Sequence, residues 1–300
     1  MTSHRKKAYI FLIITAALWG AASPIIKFTL GGIDPLPFLA YRFLIAGFLS
    51  ISIFSFKLIK GKKFRHFRAN FWQVFLYGLL AVPLALGILF FGLDKTTVLD
   101  MTLIGVIGPM VVTLGASLFF HDKITSREKV GITIVLAGAI LNSLFPLLSK
   151  NGSRLTGNIL LLLYLLSDAG SVLLSKKIVR KKVKSVNLTN FAFILGVLVF
   201  LPLATIDLGI NGFINTIVSL PLKYHLGVWY MAVISGNIAY YLYVRAQRSI
   251  EVSEATLFNY LQLVFTVPLA IFWLKEDLSF HFLVGAGLII IGLIIAERKT

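Results

Sequence analysis

Apolar runs of about 20 residues, the length that crosses a hydrocarbon core, recur along the chain between short polar breaks. Ten are drawn, over roughly 8–30, 36–58, 71–92, 98–120, 128–146, 157–178, 187–206, 224–246, 252–274 and 279–296. The pattern predicts an all-α membrane protein with ten transmembrane helices. Composition agrees: of 300 residues, 58% are hydrophobic and 14% charged, with a mean hydropathy of +0.89. A soluble domain is nearer half apolar and a quarter charged. The spans leave no room for a soluble domain, and 24 glycines suit close helix approach in lipid.

The order of polar punctuation repeats. Val98 to Leu141 aligns without a gap on Val252 to Ile295, 154 residues later. Val98/Val252, Thr102/Thr256, Leu103/Leu257, Val130/Val284, Gly131/Gly285, Gly138/Gly292 and Ile140/Ile294 are identical in that register. Acids match acids at Asp100/Glu254 and Asp122/Glu276, and hydroxyls match at Thr125/Ser279. The offset spans five helices, an odd number, so the second copy enters the membrane from the opposite side. The expected organisation is an inverted 5+5 repeat, residues 1–149 and 150–300, joined at the polar turn Ser149 to Thr156. Such repeats point to a transporter whose site lies between them. Thr125-Ser126-Arg127-Glu128 reads as a capping box opening the fifth helix.

The formal charge of +17 is distributed as the positive-inside rule requires, which argues against a nucleic-acid partner. With the N-terminus cytoplasmic, 22 of the 29 Lys and Arg fall inside, including the clusters Lys57 to Arg68 and Lys176 to Lys184. Both termini are therefore expected in the cytoplasm, in an inner or plasma membrane. The first run, Ala8 to Leu30, is too long for a signal h-region and reads as an uncleaved span.

Trp19-Gly20 and Pro24 in the first span, the Asp34-Pro35 turn leading to Tyr41-Arg42-Phe43, and the repeated acid-hydroxyl-glycine ending together resemble the EamA-type transporters of the drug/metabolite transporter superfamily. The resemblance runs the length of the chain. It implies a central cavity between the halves, lined mainly by helices three, four, eight and nine, with one and six contributing. It also implies small-metabolite substrates such as amino acids, amines and sugars. The sixth helix departs from the family pattern in carrying Asp168 where a tryptophan is usual.

Ionisable groups at membrane depth are functional candidates by default. Asp168, at the midpoint of 157–178, suits proton coupling or a substrate cation. Arg42, in the second helix near its outer end, is a gating or orienting candidate, or a donor to a substrate carboxylate. Asn237 and Tyr241, spaced i,i+4, place polar groups on one face of helix eight beside Tyr240. Thr256, Asn259, Gln262 and Thr266 continue a stripe along helix nine. Such stripes line a wet cavity or serve as interhelical hydrogen-bonding glue. Trp19, Tyr164, Tyr240 and Tyr241 are candidates for an aromatic wall able to take an amine. Pro83, Pro109 and Pro268 are hinge candidates in helices three, four and nine.

The five histidines lie in the tail, in loops or at helix ends, without metal-ligand spacing, and no hydrolase or nucleotide-binding motif occurs. No cofactor or metal is expected, and no enzymatic activity. The expected function is secondary transport of a small polar or amphipathic metabolite, by alternating access and in the export direction. A lipid-linked carrier flippase, or a membrane assembly subunit without transport, is the alternative.

Overall fold

The computed structural model describes residues 3–60, 65–121, 124–145, 152–246 and 258–297, and among them the ordered elements are all helical. Asp122, Glu254 and Thr256, which carry part of the repeat and of the helix-nine stripe, lie outside the described residues. Six helical stretches are long and apolar enough to cross a membrane: Arg5–Leu30, Pro35–Ile59, Phe71–Lys95, Val98–Phe120, Gly152–Arg180 and Ser185–Val218. Two shorter apolar helices cover Gln262–Trp273 and Phe280–Ala296.

Several of these stretches are broken within the apolar run. The first is α1 (Ser3–Gly20) and α2 (Ala22–Leu30), divided at Ala21. It is followed by α3 (Pro35–Ile59) and a short α4 (Arg65–Ala69). In the next, α5 (Phe71–Leu79) passes through a π-helical turn, Leu80–Leu84, into α6 (Ala85–Lys95). Pro83 sits inside that turn and removes one backbone donor, so the winding widens and the Ala85 N–H reaches the Leu80 carbonyl. The predicted fourth helix is two, α7 (Val98–Val106) and α8 (Gly108–Phe120), parted at Ile107 with Pro109 at the start of the second. Proline in a first turn costs nothing, because the N–H it lacks has no helical acceptor there.

α9 (Ser126–Leu144) opens on the capping box read from the sequence. The Glu128 N–H donates to Thr125 Oγ1 at 3.2 Å, and the Thr125 N–H donates to Glu128 Oε2 at 2.7 Å. α10 (Gly152–Arg180) begins inside the segment read as a polar turn, so Arg154 is helical. α11 (Ser185–Val218) is kinked at Gly209, whose φ of 71° is left-handed and natural only for glycine. The predicted eighth helix is α12 (Leu222–Trp229), a long π segment Tyr230–Ala239, and α13 (Tyr240–Ala246). The predicted ninth runs from a 3₁₀ turn (Phe258–Leu261) through α14 (Gln262–Pro268) into a second π segment, Leu269–Trp273. α15 (Phe280–Glu297) ends the described chain.

The chain divides into two compact units, each drawing helices from both sequence halves. The first comprises Met1–Leu49 and Val197–Glu276, the second Ser50–Gly196 and Asp277–Thr300. In the second unit the repeat-equivalent helices α9 and α15 lie against each other. A Cβ added to Gly131 would come within 2.5 Å of the Gly292 carbonyl oxygen, and one on Gly292 within 2.7 Å of the Gly131 oxygen. Gly138 and Gly285 face each other in the same reciprocal way, at 3.0 and 3.2 Å. As residue number rises on α9 it falls on α15, so the equivalent helices are antiparallel. Each glycine meets the equivalent of the other glycine on its own helix.

Candidate functional site

Asp168 and Tyr164 belong to the second unit. They are one turn apart on α10, and both are half-buried. Two helix irregularities converge on this part of α10. Ser167 Oγ donates to the Leu80 carbonyl of the π turn at 2.9 Å. Gly108, at the break in the fourth stretch, has its Cβ position 3.7 Å from Leu165 Cδ2. The widened turn leaves the Leu80 oxygen with room for a second donor, and a hydroxyl next to Asp168 fills it. The Asp168 backbone oxygen accepts from Ser171 Oγ at 2.8 Å. No hydrogen bond or ion pair reaches its carboxylate among the described residues.

A second carboxylate in this unit is saturated. Asp100 is fully buried, and Arg154 binds it through two donors, Nε to Oδ2 at 2.7 Å and Nη2 to Oδ1 at 2.8 Å. Asn142 Nδ2 donates to Oδ1 at 3.1 Å. Thr96 Oγ1, with one proton to give, lies between Asn158 Oδ1 and Asp100 Oδ2, 3.1 Å from the latter. Asn158 Nδ2 donates in turn to the Ser143 carbonyl at 3.2 Å. Thr96, Asp100, Asn142, Ser143 and Asn158 are all buried. Gly92 and Gly157 make this possible: a Cβ on Gly157 would lie 2.8 Å from the Gly92 oxygen, so α6 and α10 meet backbone to backbone. In the sequence Asp100 stands out only as a repeat marker and Arg154 only as part of a polar turn. The available signal was that these polar residues all fall at the same ends of adjacent predicted spans.

Trp19, Arg42, Asn237, Tyr240, Tyr241, Asn259 and Gln262 belong to the first unit. Pro24 has no N–H for the Gly20 carbonyl four residues back, and Thr266 Oγ1 takes its place at 2.6 Å. Gly20 allows the approach: a Cβ there would meet the Gln262 oxygen at 2.7 Å and Phe265 Cβ at 2.8 Å. Trp19 Nε1 donates to the Ser235 carbonyl at 3.1 Å, and the Tyr230 hydroxyl donates to the Leu18 carbonyl at 2.7 Å. The Trp19 ring rests 5.1 Å from that of Tyr243. The tryptophan-glycine-proline motif therefore ties the α1–α2 break to the π segment and to α14.

Along the helix-eight stripe the polar groups differ in surroundings. Asn237 is half-buried, with Nδ2 donating to the Ala232 carbonyl at 2.8 Å, whereas Tyr241 is 57% exposed and its hydroxyl accepts from Arg245 Nη1 at 2.9 Å. Tyr240 and Gln262 are half-buried. Asn259 lies in the 3₁₀ turn, and its side chain is outside the described residues. Arg42 is 5% exposed, with its guanidinium carbon 5.1 Å from the Phe43 ring centroid. Nearby on α3, the Tyr41 hydroxyl and His225 Nδ1 are 3.0 Å apart. Among the described residues no group of three or more His, Cys, Asp or Glu is placed to hold a metal.

Long apolar helices, interrupted where polar groups meet, define a multi-pass helical membrane protein. The EamA-like transporter family matches twice, over residues 6–144 and 155–297, and the chain belongs to that family. The chain is similar to an uncharacterized transporter of Archaeoglobus fulgidus, at 25% identity over 98% of this chain and 99% of the relative. It is similar also to two uncharacterized transporters of Bacillus subtilis. YetK is 24% identical over 97% of this chain and 87% of its own length, and YyaM is 24% identical over 96% and 93%. A solved crystal structure shares the fold, with a TM-score of 0.59 at 16% identity, over 96% of this chain and 97% of that one. The protein is a membrane transporter.

Proposed function

We propose that this transporter is a secondary carrier with ten spans in two inverted repeats, residues 1–149 and 150–300. It moves a small polar or amphipathic metabolite out of the cell by alternating access. The family match, split at residues 144 and 155, supports the repeat boundary, and the antiparallel α9–α15 pair supports the inversion. Residue 42 gates or orients. Trp19, Tyr164, Asp168, Asn237, Tyr240, Tyr241, Asn259 and Gln262 contact the substrate as it passes. Pro83, Pro109 and Pro268 mark the bends at which helices flex. Both termini are cytoplasmic, in the inner or plasma membrane.

The observation that carries this reading is Asp168, a carboxylate in the middle of a long apolar helix with no donor bonded to it among the described residues. An ionisable group is kept at membrane depth for what it exchanges with, here a proton traded against the substrate. The test is transport by the purified chain in proteoliposomes with an imposed pH gradient. Asp168→Asn should retain substrate exchange and lose the response to the gradient, because the amide keeps the size and cannot titrate. Gradient-driven transport by the asparagine variant would refute the coupling role.

A further inference from the structure

The described ends of the two basic loops come together at one surface. Between Lys57 and Arg68, and again between Lys176 and Lys184, the chain carries six Lys and Arg and no acid. Lys57 Nζ donates to Asn187 Oδ1 at 2.8 Å, and Lys181 Nζ donates to Gln73 Oε1 at 3.1 Å. Beneath them Val74, Ile178, Val183 and Leu188 form a buried cluster covered by Phe67, Tyr77, Leu174 and Phe191. The Phe67 and Phe191 rings meet edge to face, 5.3 Å apart. The ends of α3, α5, α10 and α11 are thus gathered at one end of the second unit, on a common apolar base.

The cations stand outward on this base. Lys60, Arg68, Lys177, Arg180, Lys182 and Lys184 are exposed. Setting topology needs only charge near the helix ends, in any arrangement. This surface adds a folded platform and, next to the cations, an aromatic fringe at the start of α5. Trp72 is 77% exposed, with its ring edge-on to Phe71 at 5.7 Å and to Phe75 at 6.1 Å. An exposed tryptophan beside a cluster of cations matches the boundary between acyl chains and headgroups, where its ring lies in the interface and the cations reach phosphate.

We propose that this end of the second unit is a docking surface for anionic phospholipid headgroups of the adjoining leaflet. Its phosphate diesters are held by the outward Lys and Arg, and its acyl chains lie against Trp72. The inference is independent of substrate and coupling mechanism. It needs only that the described residues flanking both loops share one end of the unit, as their hydrogen bonds establish.

The experiment reconstitutes the full chain in phosphatidylcholine vesicles containing an equal minor fraction of brominated phosphatidylglycerol or brominated phosphatidylcholine. The fluorescence difference between wild type and Trp72→Phe isolates Trp72. Brominated phosphatidylglycerol should quench it about twofold or more above brominated phosphatidylcholine, and raised salt should remove the difference by screening. The variant Lys177→Gln/Arg180→Gln/Lys182→Gln/Lys184→Gln should remove it at low salt. The salt series on wild type stands alone if that variant does not fold. Equal quenching by the two lipids, or a preference unchanged by salt, overturns the proposal. So does loss of the preference to inorganic phosphate at constant ionic strength, which assigns the surface to a soluble anion.

Discussion

Asp100 and Asp168 lie in the same compact unit, and their surroundings are opposite. Asp100 is sealed from solvent and bonded by a bidentate arginine, an asparagine and a threonine drawn from neighbouring helices. Asp168 occupies the middle of a long apolar helix beside a widened turn, and no donor is bonded to its carboxylate among the described residues. A buried charge whose lone pairs are filled is part of the frame, because moving it breaks every bond at once. A carboxylate left unfilled is free to change protonation or partner without dismantling anything. The chemistry of transport is therefore sought at the second acid and the rigidity of the unit at the first.

The contrast breaks most visibly at Arg154. Replacing it with alanine leaves Asp100 charged, buried and short of two donors, so stability should fall by about 3–5 kcal/mol. Thermal unfolding in detergent measures it, and a change within error would show that the cluster does not brace the unit. Asn158→Leu acts one bond further out, leaving the Ser143 carbonyl without its donor and the Thr96 hydroxyl with Asp100 alone. A loss of about 1–3 kcal/mol is expected in the same assay. In the other unit, Thr266→Val removes the donor that stands in for the missing Pro24 N–H. It should cost about 1 kcal/mol, and a larger loss would mean that the α1–α2 break is held mainly by this bond. The smallest stability effect belongs to Asp168→Asn. Losing a charge with no bonded partner should leave unfolding within about 1 kcal/mol of wild type. A large destabilisation there would place Asp168 in the same class as Asp100.

Much of this arrangement was legible along the chain. The shared glycines and the Thr125–Glu128 cap depend on local period and spacing, and the structure keeps them, as it keeps six of the apolar runs as helices long enough to cross a membrane among the described residues. The breaks at Pro83 and Pro109 were visible as missing donors. The π segment Tyr230–Ala239 contains no proline, so nothing local announced the wider winding around Asn237. The Asp100 cluster was illegible for a different reason. Its members come from several helices, and a side chain's partners are set by which backbones approach. Gly92 and Gly157 control that approach without any polar signal of their own. Likewise the meeting of Thr266 with Gly20 follows from Pro24, but only once α14 is known to lie there.

The reciprocal glycines of α9 and α15 have a consequence for descent. A helix that packs antiparallel on its own repeat copy, glycine against exchanged glycine, presents a self-complementary face. A half-length chain bearing that face would pair with a second copy inserted upside down, and every substitution in it would be felt on both sides of the seam. Joining two copies in one polypeptide ends that constraint. Position 131 can now change while position 285 does not, so one half is free to acquire an Asp168 that the other lacks. Duplication thereby turns a symmetric seam into a place where the two halves can specialise.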